Sequence, residues 1–153
     1  MRKKIQTNSH IKTQHLAENI AKKCLKTGPD FENNQAMVFA MHGDLGSGKT
    51  TFTQGFAKGL GVVDKILSPT FVILKKFQIP NSEFQYLYHI DCYRINDSRE
   101  IQDLGFKEII SDPKNIIIIE WAEKIEKALP KYITIINFEF KHKNIREIII
   151  KSK

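Results

Sequence analysis

The chain has 153 residues, of which 41% are hydrophobic and 10% aromatic, so it can bury the core of one globular domain over 1–153 and is not a disordered tract. Two cysteines, Cys24 and Cys92, lack both metal-type spacing and the density of a disulfide framework, which fits a reducing cytoplasmic setting. The net charge of +7 has two readings: lysines spread over a solvated surface, or a polyanionic partner such as RNA or an acidic protein face. No apolar h-region follows the basic start Met1-Arg2-Lys3-Lys4, so no secretory signal is expected. Apolar runs such as Ile116 to Ile119 are far shorter than the ~20 residues that span a bilayer, so a membrane is not an expected partner; DNA is not an expected partner either.

Asn8 and Ser9 can cap a helix running to about Lys26, with Leu16, Ile20 and Cys24 on its apolar face and Thr27-Gly28-Pro29-Asp30 as its stop. Ala36 to Met41 reads as a short apolar strand. A second helix covers Thr51 to Lys58 and stops around Gly59 and Gly61. Phe71 to Leu74 and Tyr86 to Ile90 read as strands on either side of a polar turn at Pro80-Asn81-Ser82. Helical segments are predicted near Asp97 to Asp103, Phe106 to Ile110 and Ala122 to Leu129. Ile116-Ile117-Ile118-Ile119 is apolar at every position, as a strand covered on both faces must be. Alternation returns in Tyr132 to Phe140 and Ile145 to Ile150, as in an edge hairpin. The expected fold class is therefore α/β, a three-layer P-loop NTPase-type fold whose mostly parallel central sheet carries an antiparallel edge hairpin.

Between the first strand and the second helix lies Gly43-Asp44-Leu45-Gly46-Ser47-Gly48-Lys49-Thr50, which fits G-x-x-x-x-G-K-[ST]. A random chain of this length shows that pattern on the order of 1% of the time, and the strand–loop–helix context narrows it further. Glycines let consecutive N–H groups turn toward an anion. Lys49 reaches the β- and γ-phosphates, and the Thr50 hydroxyl can bind magnesium. Such a loop needs an acid at the end of a neighbouring strand. Glu120, closing the four isoleucines, supplies it and resembles a Walker B carboxylate.

Asp91 ends the Tyr86 strand and could be a second magnesium-shell group, orient the attacking water, or serve only as a cap or turn residue. Arg94 could meet the γ-phosphate or pair with Glu100. Alternation turns Cys92 away from the ligand into packing, and His89 has no partner at a catalytic spacing. Ser68-Pro69-Thr70 fits either a γ-phosphate sensor or an ordinary capped turn. The absence of N-K-x-D or T-K-x-D disfavours guanine, and neither an ABC-type signature nor a nucleotide-kinase lid is present. The C-terminal cluster Lys141, His142, Lys143, Arg146, Lys151 and Lys153 is the densest candidate polyanion surface.

Four motifs in order, Gly43 to Thr51, Ser68-Pro69-Thr70-Phe71, His89-Ile90-Asp91-Cys92-Tyr93-Arg94 and Glu120-Trp121-Ala122-Glu123-Lys124, resemble the TsaE (YjeE) family. The similarity covers nearly the whole chain. It implies a cytoplasmic, magnesium-dependent ATPase required to form N6-threonylcarbamoyladenosine at position 37 of tRNAs reading codons that begin with A. The implied partners are TsaB and TsaD, with tRNA reached indirectly through their complex. It also implies that ATP binds through Gly43, Asp44, Leu45, Gly46, Ser47, Gly48, Lys49, Thr50 and Thr51, with Thr13 and Arg146 toward its adenosine end. Asp91, Glu120 and Lys49 are the implied catalytic residues; Thr50, Glu120 and Asp91 are the implied magnesium residues. Lys124 stands where an arginine is common, and Cys92 where the family has an apolar residue. A small-molecule kinase, or a nucleotide-sensing or RNA-binding module without turnover, are the alternative readings.

Overall fold

Four consecutive isoleucines require a strand with both faces covered, and the computed structural model, which describes residues 1–67 and 73–153, provides this. Strand β5 (Asn115–Glu120) is buried along its whole length. The other strands are β1 (Arg2–Thr7), β2 (Met37–His42), β3 (Leu74–Gln78), β4 (Tyr86–Asp91), β6 (Thr134–His142) and β7 (Ile145–Ser152). They form one seven-stranded sheet in the order β1-β7-β6-β2-β5-β4-β3. The central four strands, β6, β2, β5 and β4, are mutually parallel, whereas β1/β7, β7/β6 and β3/β4 pair antiparallel.

The period-2 geometry of strands sorts the core into two layers. Phe39, Met41, Ile116 and Ile118 face helices α1 (His10–Thr27) and α2 (Lys49–Gly59). Val38, Ala40, Ile117 and Ile119 face the opposite way, toward α3 (Arg99–Gln102), α4 (Phe106–Ile110) and a 3-10 helix over Ala122–Ala128. The result is the three-layer α/β arrangement expected from the sequence. Cys24 belongs to the first layer and Cys92 to the second; both are packing residues, as read from their positions. Burial pushes their thiols up to about 11 and about 12.

Helix α1 starts as anticipated: the Ser9 hydroxyl accepts the Lys12 N–H at 3.1 Å. It packs tightly on α2 because α2 presents Gly55 and Gly59 to it. A Cβ at Gly55 would overlap the Gln14 carbonyl oxygen, and one at Gly59 would lie 2.5 Å from that of Glu18.

Three features depart from the sequence reading. Residues 2–7 form an edge strand, so β1 lies outside the β6–β7 hairpin and covers it. The segment after Glu120 is not α-helical: Trp121 sits at φ 57°, and the 3-10 turns that follow bend at Ile125. Strand β3 lies later than Phe71 to Leu74; Ser68, Thr70 and the start of that predicted strand fall outside the described residues. Among the described residues no helix is long and apolar enough to cross a membrane.

Candidate active site

Parallel registry brings three strand ends to one level. Met41 of β2 and Asp91 of β4 both lie opposite Glu120 of β5, so the loop leaving β2 opens beside the two carboxylates. Carboxyl ends of parallel strands are where open α/β sheets place ligands.

The loop from Gly43 to Gly48 is shaped by backbone that side chains would obstruct. At Gly43, φ is 145° and a Cβ would lie 2.7 Å from the Phe138 carbonyl oxygen. Gly48, at φ 111°, caps α2, and a Cβ there would come within 3.0 Å of the Arg146 side chain. No side chain caps α2, which leaves its first-turn N–H groups to an anion. Asp44, Leu45 and Gly46 form the exposed tip, while Ser47, Gly48 and Lys49 are buried.

Lys49 folds inward over the loop. Its Nζ donates to the Gly43 carbonyl at 2.5 Å and the Asp44 carbonyl at 2.9 Å, and lies 4.2 Å from the centre of the Trp121 ring. Burial lowers its pKa, opposed by the carboxylates of Glu120, Glu123, Asp91 and Asp44. A buried ammonium held by two carbonyls, the Ser47 hydroxyl at 3.4 Å and a ring is positioned to exchange them for phosphate oxygens.

Glu120 is the hub of the site. Its carboxylate is buried and accepts the Thr50 hydroxyl at 3.0 and 3.2 Å; the Thr53 hydroxyl, which donates to the Lys49 carbonyl at 3.1 Å, lies 3.4 Å from it. His89 Nε2 lies 2.8 Å from Glu120 Oε1. The sequence reading left His89 without a partner; the β4–β5 register supplies one. Asp91 sits in the same row, half-buried, its Oδ1 accepting the Tyr93 N–H at 3.0 Å. Burial raises the Asp91 pKa, and the charge of Glu120 adds to the effect.

This donor set fits magnesium better than a metal cage. Among the described residues no group of three or more His, Cys, Asp or Glu side chains could hold a metal by itself. Magnesium in phosphate sites takes one or two protein oxygens and completes its shell with water and phosphate. A threonine hydroxyl against a buried carboxylate, beside an uncapped helix start, suits that pattern.

Of the other residues expected from the sequence, Arg146 flanks the loop. Arg146 is buried against Gly48; its Nη1 donates to the Asn144 carbonyl at 3.3 Å, while its Nε has no hydrogen-bond partner among the described residues. Thr13 is fully buried, its hydroxyl 2.7 Å from that of Thr7 and 3.2 Å from the Ser9 carbonyl. Thr7 pairs with Arg146 in the β1–β7 ladder, so β1 links Thr13 to the loop flank. The Thr51 hydroxyl lies 3.2 Å from His10 Nδ1. Glu100 accepts the N–H groups of Asn96 and Asp97, which gives it a turn-capping task.

Two members of the C-terminal basic cluster are buried or paired. Arg146 points inward, Lys141 pairs with Glu139 and Glu147, and Lys4 lies 2.8 Å from Glu147. Thr53 is the site residue that sequence reasoning missed; His89 and Trp121 stand in its motifs without an assigned partner or role at the site. The signals available were positional: Thr53 is one turn after Lys49, and His89 is two residues before Asp91 on the same strand face.

Known proteins resemble the chain over most of its length. The family model for the threonylcarbamoyl adenosine biosynthesis protein TsaE matches residues 7–148. The chain is 46% identical over 94 residues to the tRNA threonylcarbamoyladenosine biosynthesis protein TsaE of Bacillus subtilis, covering 61% of this chain and 56% of that protein. With the protein of the same name from Haemophilus influenzae it shares 32% identity over 106 residues, covering 69% and 65% respectively. The match thus spans under two thirds of the length of either relative. With that of Rickettsia conorii it shares 34% over 140 residues, covering 91% and 72%. Among solved structures, the crystal structure of Bacillus subtilis YdiB superimposes with a TM-score of 0.78 at 30% identity, covering 99% of this chain and 86% of that one. The phosphate loop, the Thr50–Glu120 contact and the extent of these matches lead to one assignment: the chain belongs to the TsaE family.

Proposed function

We propose that the chain is a magnesium-dependent ATPase required for forming N6-threonylcarbamoyladenosine at position 37 of tRNAs reading codons that begin with A. It acts in the cytoplasm on the complex of TsaB and TsaD. The observation that carries the reading is the contact between Thr50, at the start of α2, and the buried Glu120 carboxylate. It joins a phosphate loop to a strand-end acid, the two parts that hydrolysis of a nucleoside triphosphate requires.

In this reading the loop amides and Lys49 hold the β- and γ-phosphates, with Lys49 exchanging the Gly43 and Asp44 carbonyls for phosphate oxygens. Thr50 and Glu120 hold the magnesium, with Asp91 beside them. When bound, magnesium neutralises charge developing on the phosphate oxygens. Arg146 and Thr13 serve the adenosine end, a role that rests on the family resemblance. Asp91 orients a water and accepts its proton as the water oxygen bonds to the γ-phosphorus and the bond to the β,γ-bridging oxygen breaks. A carboxylate whose pKa is raised by burial is a stronger base than an exposed aspartate. Most of the acceleration comes from positioning and fixed charge.

The test is phosphate release from ATP with the protein alone and with TsaB–TsaD, alongside repeated rounds of tRNA modification. Slow release alone and faster release in the complex are expected. Equal turnover in both conditions contradicts the partnership. ATP consumption without free phosphate, stimulated by a metabolite, would instead identify a kinase.

A further inference from the structure

We propose that His89 is a positioning residue for the cation site, holding the Glu120 carboxylate so that one oxygen stays directed at Thr50. This rests on the magnesium reading above. His89 is fully buried in β4, and its Nε2 lies 2.8 Å from Glu120 Oε1. The contact is set by the parallel register: Asp91 lies opposite Glu120 and His89 opposite Ile118, so the imidazole reaches along the same sheet face to the carboxylate.

The two oxygens of Glu120 are held unequally. Oε1 receives His89 at 2.8 Å, with Thr50 at 3.2 Å and Thr53 at 3.4 Å, whereas Oε2 receives, among the described residues, Thr50 at 3.0 Å. A carboxylate oxygen accepts, so His89 Nε2 carries the proton that faces it. Oε1 is thereby anchored from the strand side. Oε2 and the Thr50 hydroxyl remain as the pair able to turn toward a cation. Nδ1 of His89 has no hydrogen-bond partner among the described residues. The imidazole's polar contact is thus directed at Glu120, and its other nitrogen is buried at a cost that an apolar side chain would avoid. Groups that orient a metal-binding carboxylate or imidazole change metal affinity by about 10- to 100-fold when removed.

The experiment measures Mn2+ binding by electron paramagnetic resonance to the full chain saturated with ADP. Metal-free ADP binding is measured in parallel, for wild type, His89→Leu, His89→Gln and Glu120→Gln. In His89→Leu, Mn2+ binding should weaken by about 10-fold or more, while metal-free ADP binding stays within about 2-fold, an interval set by the loop being untouched. Glutamine can present an N–H to the same oxygen and should restore most of the Mn2+ affinity. If the leucine variant does not fold, His89→Asn, polar but too short to reach Oε1, takes its place. Wild-type Mn2+ affinity in His89→Leu with a loss in Glu120→Gln would overturn the role of His89 alone. Unchanged affinity in both would overturn the magnesium site and, with it, this inference. Equal weakening of metal-free and metal-linked binding, or a folded glutamine variant that restores nothing, would also overturn it.

Discussion

Thr50 and Glu120 stand 70 positions apart in the chain and meet at 3.0 Å, hydroxyl to carboxylate. Neither is placed by its own neighbourhood alone. Thr50 is fixed by the start of α2 and Glu120 by the parallel pairing of β2 with β5, which also sets Met41 opposite it. The contact joins the helix that follows the loop to the strand beside it.

The close approach of α1 and α2 governs the stability of that frame. Alanine favours a helix over glycine by about 1 kcal/mol, whereas overpacking a tight contact costs about 1–3 kcal/mol. At Gly55 the obstruction is backbone, the Gln14 carbonyl, which cannot rotate away. Gly55→Ala should therefore lower the stability by up to about 2 kcal/mol in urea denaturation. A more stable variant would mean that the helices do not approach as described.

Asp91 predicts a pH dependence. Its pKa is raised above 3.8 in the folded protein, chiefly by burial. The folded state therefore binds more protons than the unfolded chain between 3.8 and the raised value, and stability declines as pH rises through that window. Asp91→Asn removes the cost and can keep the hydrogen bond from Tyr93. In ligand-free protein the variant should melt higher than wild type at pH 7, with the gap narrowing toward pH 4, near the 3.8 reference value of an aspartate. A gap that widens on acidification would contradict this sign.

The two thiols should be inert. Cys24 and Cys92 are buried, with pKa values pushed up to about 11 and about 12, so little thiolate exists at pH 8. An aromatic disulfide reagent should label neither in the native protein and both in denaturant. Rapid native labelling of Cys92 would place it outside the core layer described here.

The parts legible in the sequence were those encoded locally. The loop pattern, the Ser9 cap, the isoleucine run and the alternation within β6 each carry their signal within a few residues. What escaped depends on partners distant in the chain. In β1, Arg-Lys-Lys-Ile-Gln-Thr offers one aliphatic residue and buries only Thr7, so its strand character comes from pairing with β7. The His89–Glu120 contact needs the β4–β5 register, which no single segment specifies. The pairing of Lys141 with Glu147 likewise acts across strands, from β6 to β7.

The most direct measurement is ATP binding and phosphate release in Glu120→Ala, with Lys49→Ala as the contrasting variant. Loss of charge-assisted bonds worth about 1.5–3 kcal/mol each should weaken binding in Lys49→Ala by about 100-fold or more. Glu120→Ala should keep much of the binding yet lose magnesium-dependent turnover. Wild-type hydrolysis by Glu120→Ala would contradict the account of the site.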